Sequence, residues 1–305
     1  MLADSSGSLI LAIAVTGLVV ALGLSFVPTL RTAAAYRFAR SVGLNLPPEI
    51  EPAVRARLTS RVRGGCLGAV VALVAAAAAL QFWVDVDAAA PLAVLLLIGA
   101  VFAGYAVGAA GASLRSADHD PDRIRVARSR AVGVPDFLAP VELVGARAVV
   151  AVGFLVATAT VVVGATGGAP TSGNFAVTVL LAGAGVVTLV AFEIVSRRVV
   201  ARPQPAGTPS ELVWDDAVRS TLLRDLVTAP LAFGMYATLY GLVDFAGGIE
   251  GNYSSLGAAF LATSAVFAPL ALVSFAAIVT LALKPQRHFA RRLWPTVPSQ
   301  SGVGN

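Results

Sequence analysis

Residues 118–122 bring together side chains that commonly bind metal ions, Asp118, His119, Asp120 and Asp122. Carboxylate oxygens and an imidazole nitrogen could hold a divalent cation and support a metal-dependent membrane enzyme. The spacing departs from a calcium-binding EF-hand loop, because Arg123 takes the glycine position and Ser129 the position of the closing glutamate. Asp120 followed by Pro121 is also a typical helix start, with a cap and a proline at the first helical position. We therefore expect a helix cap here, and we predict no bound metal or other cofactor.

Motifs that position known catalytic groups are missing from the sequence. It contains no HExxH, Walker A, GxSxG or CxxC pattern, which serve metalloproteases, nucleotide hydrolases, serine hydrolases and thiol redox proteins. The single cysteine, Cys66, cannot form an internal disulfide and is interpreted as a small packing residue. We predict no catalytic residue and a protein that is not an enzyme.

Acidic residues inside apolar segments are a common sign of a transport path across a membrane. Glu193 and Asp244 each lie near the end of such a segment, and Pro269 could interrupt a third, as transporter helices are interrupted. Glu193 also precedes Arg197 by four residues, which is the spacing of an ion pair within one helix. These residues make a secondary transporter one alternative.

The composition of the chain differs from that of a soluble domain. Hydrophobic residues make up 57% of the chain and charged residues 13%, and the mean hydropathy is +0.82. A soluble domain has about 25% charged residues. A helix of about 20 apolar residues spans the hydrocarbon layer, and the apolar runs here lack the alternation of barrel strands. We predict an all-α membrane protein with a single transmembrane domain over residues 1–305.

Seven apolar segments have the length of a transmembrane helix. The predicted spans cover about residues 9–27, 64–83, 91–114, 148–166, 175–195, 226–245 and 256–283. The second to seventh form three helical hairpins, each preceded by an expected amphipathic lead-in helix: Ala53–Arg63, Asp136–Arg147 and Pro209–Asp225. Small residues recur at four-residue spacing in Gly64/Gly68 and Gly104/Gly108, which predicts close helix packing.

The basic residues define one side of the membrane. All 22 lysines and arginines lie in residues 31–63, 115–147, 197–225 and 284–305. The charged residues in the connections on the opposite side are all acidic, among them Asp85, Asp87, Asp244 and Glu250. Because Lys/Arg-rich loops stay in the cytoplasm, we predict an outside N-terminus and a cytoplasmic C-terminus in a bacterial plasma membrane. The isoelectric point near 10.0 therefore reflects topology, and no nucleic acid partner is expected.

Pro209–Asp225 is the basic segment with the clearest local structure. Thr208–Glu211 combines a cap, a proline at the first helical position and a capping-box glutamate. The helix that follows is amphipathic, and we expect it on the inner leaflet with Trp214 at the headgroups. The alternative is a docking surface for a cytoplasmic protein. The predicted contact residues are Trp214, Asp215, Asp216 and Arg219.

Three polar stretches carry a resemblance to other proteins: LPPEIEPAVRARL at residues 46–58, RPQPAG at 202–207 and LVWDDAVRSTLLRDL at 212–226. Together with the pattern of spans, they resemble a group of uncharacterised polytopic integral membrane proteins of actinobacteria. The resemblance covers most of the chain. It implies lineage, topology and envelope location, and it transfers no catalytic residue.

The sequence thus favours a non-enzymatic plasma-membrane component, a scaffold or permease-like subunit. Its expected partners are the lipid bilayer and either a cytoplasmic protein or a second copy of the chain. The first alternative is a self-contained secondary transporter that uses Glu193, Asp244 and Pro269. The second is a metal-dependent membrane enzyme that uses Asp118, Asp120 and Asp122.

Overall fold

A computed structural model of the chain describes residues 23, 26–83, 86–115, 131–165, 175–202, 204, 207–250 and 288–294. These residues contain no strand and form helices α1 Pro28–Val42, α2 Glu51–Trp83, α3 Val86–Arg115, α4 Val134–Phe137, α5 Pro140–Ala165, α6 Phe175–Ala201, α7 Pro209–Glu250 and α8 His288–Leu293. The predicted seventh span lies outside the described residues, as does the first except for residues 23, 26 and 27. The all-α prediction is confirmed for the part of the chain that is described.

Four helical stretches are long and apolar enough to cross a membrane: Glu51–Ala79, Leu96–Arg115, Pro140–Val162 and Ala176–Ala201. They overlap the predicted second to fifth spans. The first and third stretches begin earlier than predicted, at Glu51 and Pro140. Only 22% to 33% of their most apolar windows is buried inside the protein. Large apolar side chains instead face outwards, such as Val71, Leu155 and Val187, which are 69%, 66% and 67% exposed. An outer surface of this kind is typical of helices in contact with lipid.

The predicted sixth span, residues 226–245, belongs to α7, which runs without a break from Pro209 to Glu250. This stretch is not among the four membrane-capable ones, and the side chains of residues 243–250 lie outside those described. The 42 residues of α7 extend about 63 Å at 1.5 Å per residue, about twice the hydrocarbon thickness. The lead-in predicted for Pro209–Asp225 is therefore the first part of one long helix and not a separate helix on the inner leaflet.

The other two lead-in helices also differ from their predictions. Ala53–Arg63 is the beginning of α2, which continues through Gly64 into the membrane-capable stretch. Asp136–Arg147 is divided between α4 and α5. Leu138 has an extended backbone (φ −109°, ψ 140°), and Pro140 has no N–H with which to continue the preceding helix.

Helices α2 and α3 pack against each other through glycines. A Cβ atom on Gly68 would lie 2.8 Å from the Cα of Gly108, and one on Gly104 would lie 2.9 Å from the Cα of Ala69. Cβ atoms essentially never come this close to other heavy atoms. Only glycine, which has a hydrogen atom in place of a side chain, therefore fits at these positions. The close packing predicted for Gly64/Gly68 and Gly104/Gly108 is confirmed.

Helix α7 is the centre of the bundle, since it contacts α3, α5 and α6 and also α4 and α8. Every residue in 211–242 is buried or partly buried. One hydrophobic core surrounds its first half and includes Trp214 and Phe289. A second core, with Leu181 and Phe233, lies further along the helix. The amphipathic pattern of the first half therefore does not correspond to a face exposed to solvent, because neighbouring elements surround the helix.

Candidate functional site

The described parts of the four basic segments pack together at one end of the bundle: residues 31–63, 131–147, 197–202, 204, 207–225 and 288–294. We call this unit the basic cap. Its hydrophobic core contains enclosed side chains from every segment, among them Val54, Leu138, Trp214 and Phe289, which are 2%, 0%, 3% and 0% exposed. Segments that are far apart in sequence thus form a single folded structure.

Trp214 lies inside the basic cap. Its ring centroid is 6.1 Å from that of Phe38 in α1, with the two planes inclined at 48°. Because the side chains of this core enclose the indole ring, it does not reach lipid headgroups. This burial corrects the interfacial placement expected for Trp214.

Asp215 joins the first and third basic segments. Its carboxylate accepts hydrogen bonds from Arg57 (Nη1–Oδ1 2.9 Å) and Gln204 (Nε2–Oδ2 2.8 Å), and Arg219 Nε lies 2.8 Å from Oδ2. Arg57 is 158 residues away in sequence, whereas Arg219 is one helical turn further along α7. The side chain of Asp215 is 12% exposed. A carboxylate removed from water is stabilised by such charged donors, which compensate for the lost hydration.

Asp216 joins the third basic segment to the C-terminal one. It is 0% exposed and accepts hydrogen bonds from Gln204 (Nε2–Oδ1 2.7 Å) and from the indole of Trp294 (Nε1–Oδ2 2.9 Å). Asp215, Asp216 and Arg219 were predicted to contact an external partner or the membrane surface. In the structure all three charged groups make contacts within the chain, and those of Asp215 and Asp216 connect different basic segments.

Glu193, a candidate for the transport path, lies near the end of α6 that meets the basic cap. Arg147 Nε of α5 donates to its Oε1 at 3.0 Å, and Arg197 Nη2 lies 3.9 Å from its Oε2. The ion pair predicted with Arg197 is confirmed, and Arg147 adds a link between helices. These two contacts are typical of a structural ion pair at a helix end.

Two further ion pairs hold α7 to its neighbours, and sequence reasoning missed both. Arg61 of α2 donates to Asp225 through Nε (Nε–Oδ2 3.1 Å) and through a second guanidinium nitrogen, and Arg224 Nε donates to Glu142 at 2.8 Å. Burial raises the pKa of Asp225, and the charge of Arg61 offsets this only in part. The sequence shows opposite charges near the predicted span ends. It does not show how the helices are aligned against one another, and that alignment decides which charges form ion pairs.

The remaining candidates lie outside the described residues. They are Pro269, the side chain of Asp244 and the acidic group at residues 118–122. Within the described ranges, no group of three His, Cys, Asp or Glu side chains could hold a metal ion. The metal-site alternative concerns residues beyond those ranges, so it stays a prediction.

Comparisons with protein-family models, with curated proteins and with solved structures found no match for this chain. The resemblance to actinobacterial membrane proteins therefore stays a prediction from the three polar stretches. What the described chain itself shows is an all-helical protein with four helices able to cross a membrane and a folded basic cap at one end.

Proposed function

We propose that the protein is a non-enzymatic component of a bacterial plasma membrane, a scaffold or permease-like subunit whose basic cap docks a cytoplasmic protein. The proposal includes seven spans, an outside N-terminus and a cytoplasmic C-terminus. The observation that carries it is the common core of the basic cap, to which Val54, Leu138, Trp214 and Phe289 contribute.

The position of the basic cap supports this membrane topology. The helix pair α2 and α3 connects its first and second segments, and α5 and α6 connect its second and third. Helix α7 begins in the cap and continues to Glu250, and Phe289 lies in the core of the cap. The proposal places the seventh span between the end of α7 and the start of α8. Loops rich in arginine favour the cytoplasmic side.

The ion pairs of the basic cap support a scaffold. Carboxylates that could serve chemistry or transport, including Asp215, Asp225 and Glu193, each contact an arginine of another helix. The cap also presents Arg197, whose side chain is 80% exposed, and the exposed Arg198 and Arg291. A preassembled surface with outward-facing guanidinium groups suits a protein partner with acidic side chains.

Labelling of single cysteines tests the membrane topology. Cys66 is the only cysteine, so Cys66→Ser provides a background for single introductions. With an impermeant maleimide, Asp4→Cys and Asp85→Cys should react in intact spheroplasts, whereas Ser210→Cys should react only after lysis. Labelling of Ser210→Cys from outside would contradict the proposed orientation.

Crosslinking in native membranes tests the docking function. We expect a cytoplasmic protein to co-purify with the full chain in a fixed ratio and to be lost from an Arg198→Glu, Arg291→Glu variant. The matched control is a Val187→Ala variant, which changes an exposed apolar residue away from the cap. If the crosslinked chain purifies without a partner, or the partner is retained by the charge-reversed variant, docking at this surface is wrong.

A further inference from the structure

A groove of about 640 Å³ lies on the surface where the start of α1, the first half of α2 and the end of α3 meet. None of the described residues that line it is acidic. Thr59 and Ser60 line it as well. Its charged lining consists of four arginines from the three helices: Arg31, Arg55, Arg63 and Arg115. The groove therefore concentrates guanidinium groups where an anion with several oxygen atoms would be stabilised.

Three of the four arginines of this groove contact neighbouring groups. Arg31 donates from Nη2 to the carbonyl oxygen of Phe26 at 2.7 Å, and the guanidinium carbon of Arg63 lies 3.8 Å from the centroid of the Phe26 ring. Arg55 donates from Nη1 to the hydroxyl of Thr32 at 3.2 Å, and the same nitrogen lies 3.8 Å from Oε1 of Glu51, which does not line the groove. These contacts orient the side chains before any ligand arrives, which lowers the entropic cost of binding.

One nitrogen of an arginine that lines the groove has no acceptor among the described residues. The Nε of Arg31 is buried and has no hydrogen-bond partner among the described residues. Buried N–H groups are almost always paired in folded proteins, so an unpaired one needs an explanation. Because this nitrogen is enclosed, an anion oxygen reaches it only when the Arg31 side chain turns towards the groove.

The groove continues into an apolar surface on α2. Leu67 lines the groove and is 58% exposed, and Val71 and Val74 follow on the same side of the helix at 69% and 60% exposure. Residues four and seven positions after Leu67 form one stripe along a helix. This stripe lies within the membrane-capable stretch Glu51–Ala79. A charged groove that opens onto an exposed apolar stripe matches both parts of a phospholipid.

We propose that this groove binds an anionic phospholipid, with its phosphate among the four arginines and an acyl chain along Leu67, Val71 and Val74. Inorganic phosphate would use the arginines alone and leave the apolar stripe uncovered. The inference rests on the membrane location proposed above and not on a protein partner. A missing partner and a missing lipid site are therefore separate results.

Native mass spectrometry of the full chain in detergent tests the site by titration with three probes. These are phosphatidylglycerol, phosphatidylcholine with the same acyl chains, and inorganic phosphate. The groove variant is Arg31→Gln, Arg115→Gln. The matched control is Arg37→Gln, Arg198→Gln, which removes the same charge from exposed arginines that do not line the groove.

We expect the affinity for phosphatidylglycerol to fall on the order of 20-fold in the groove variant, because each arginine next to an anionic headgroup contributes about fivefold in affinity. In the control, the two arginines lie away from the bound headgroup, so the affinity should fall less than about 3-fold. Equal losses in both variants, or no loss in either, would overturn the proposal. So would equal affinities of the unaltered chain for the two lipids. If inorganic phosphate displaces phosphatidylglycerol at comparable concentrations, the groove is a phosphate site and the lipid assignment is wrong.

A second measurement needs no variant and so remains decisive if the groove variant fails to fold. The unaltered chain is irradiated in vesicles that contain a phosphatidylglycerol with a photoreactive group in its acyl chain, and the labelled residues are mapped by peptide sequencing. Labelling should concentrate at residues 67–74. Labelling spread evenly over other exposed apolar residues, such as Leu155 and Val187, would contradict a specific site.

Discussion

Trp294 donates its indole N–H to Asp216, with Nε1 2.9 Å from Oδ2, and so connects the C-terminal segment to the buried first half of α7. Asp216 is 0% exposed and also accepts a hydrogen bond from Gln204. Residues 288–294 are thus part of the basic cap, and the sequence alone had indicated only a basic tail.

Replacement of this donor should destabilise the cap. Trp294→Phe keeps an aromatic ring but removes the N–H, so the free energy of unfolding should fall by about 1–3 kcal/mol, the range for a lost hydrogen bond to a buried charged group. Denaturant unfolding in micelles, followed by near-ultraviolet circular dichroism, measures the change.

A double-mutant cycle with Asp216→Ala shows whether the loss comes from this hydrogen bond. Trp294→Phe should cost much less when the carboxylate is already missing. An equal cost in both backgrounds would mean that Trp294 acts through packing alone.

The contact between α2 and α3 should not tolerate a methyl group. Gly68→Ala places a Cβ atom 2.8 Å from the Cα of Gly108. We expect the free energy of unfolding to fall by about 1–3 kcal/mol because the helices must separate. Gly111→Ala is the matched control on α3, since nothing lies within 4 Å of its added Cβ atom. That variant should gain about 0.5–1 kcal/mol from helix propensity. Similar effects of the two substitutions would contradict the glycine contact.

Asp225 should make stability depend on pH. Burial raises its pKa above the unfolded value of 3.8, so the folded protein binds this proton more tightly than the unfolded chain does. The resulting contribution to stability is fully present below pH 3.8 and is lost as the pH rises through the folded pKa.

Asp225→Asn removes this dependence, and it also changes the contact of this side chain with Arg61. The informative quantity is the unfolding free energy of the variant minus that of the original protein. It should become more positive as the pH rises from mildly acidic to neutral in a thermal unfolding series. A constant difference, or one that becomes more negative, would show that Asp225 does not have the raised pKa.

Glu193→Gln should have a small structural effect. The Glu193 side chain is 29% exposed, and those of its partners Arg147 and Arg197 are 57% and 80% exposed, so solvent screens both pairs. We expect a loss of less than about 1 kcal/mol in unfolding free energy.

The same residue distinguishes the proposed scaffold from a transporter. The double variant Glu193→Gln, Asp244→Asn should leave proton- and sodium-coupled uptake into membrane vesicles unchanged. Abolished uptake, with the variant still folded and inserted, would favour the transporter alternative and place these acids in its path.

Several features were predictable because they depend on neighbouring residues only. The helix start at Pro209 is one example. Thr208 Oγ1 accepts the backbone N–H of Glu211 at 3.2 Å, and the Glu211 carboxylate accepts the N–H of Gly207 at 2.7 Å, one residue before the expected position. The ion pair of Glu193 with Arg197 is another, since four-residue spacing puts both on one side of a helix.

The sequence by itself determined the helical class, the four membrane-capable stretches and the glycine contact of α2 with α3, because hydropathy and small-residue spacing are properties of single segments. Only the tertiary structure decided that Trp214 is enclosed and that Asp215 pairs with Arg57 across 158 residues. An amphipathic helix pattern shows which side chains share a face, but it does not show what covers that face. The cover and the ion-pair partners depend on how the helices are placed against one another, and that placement results from the packing of all segments together.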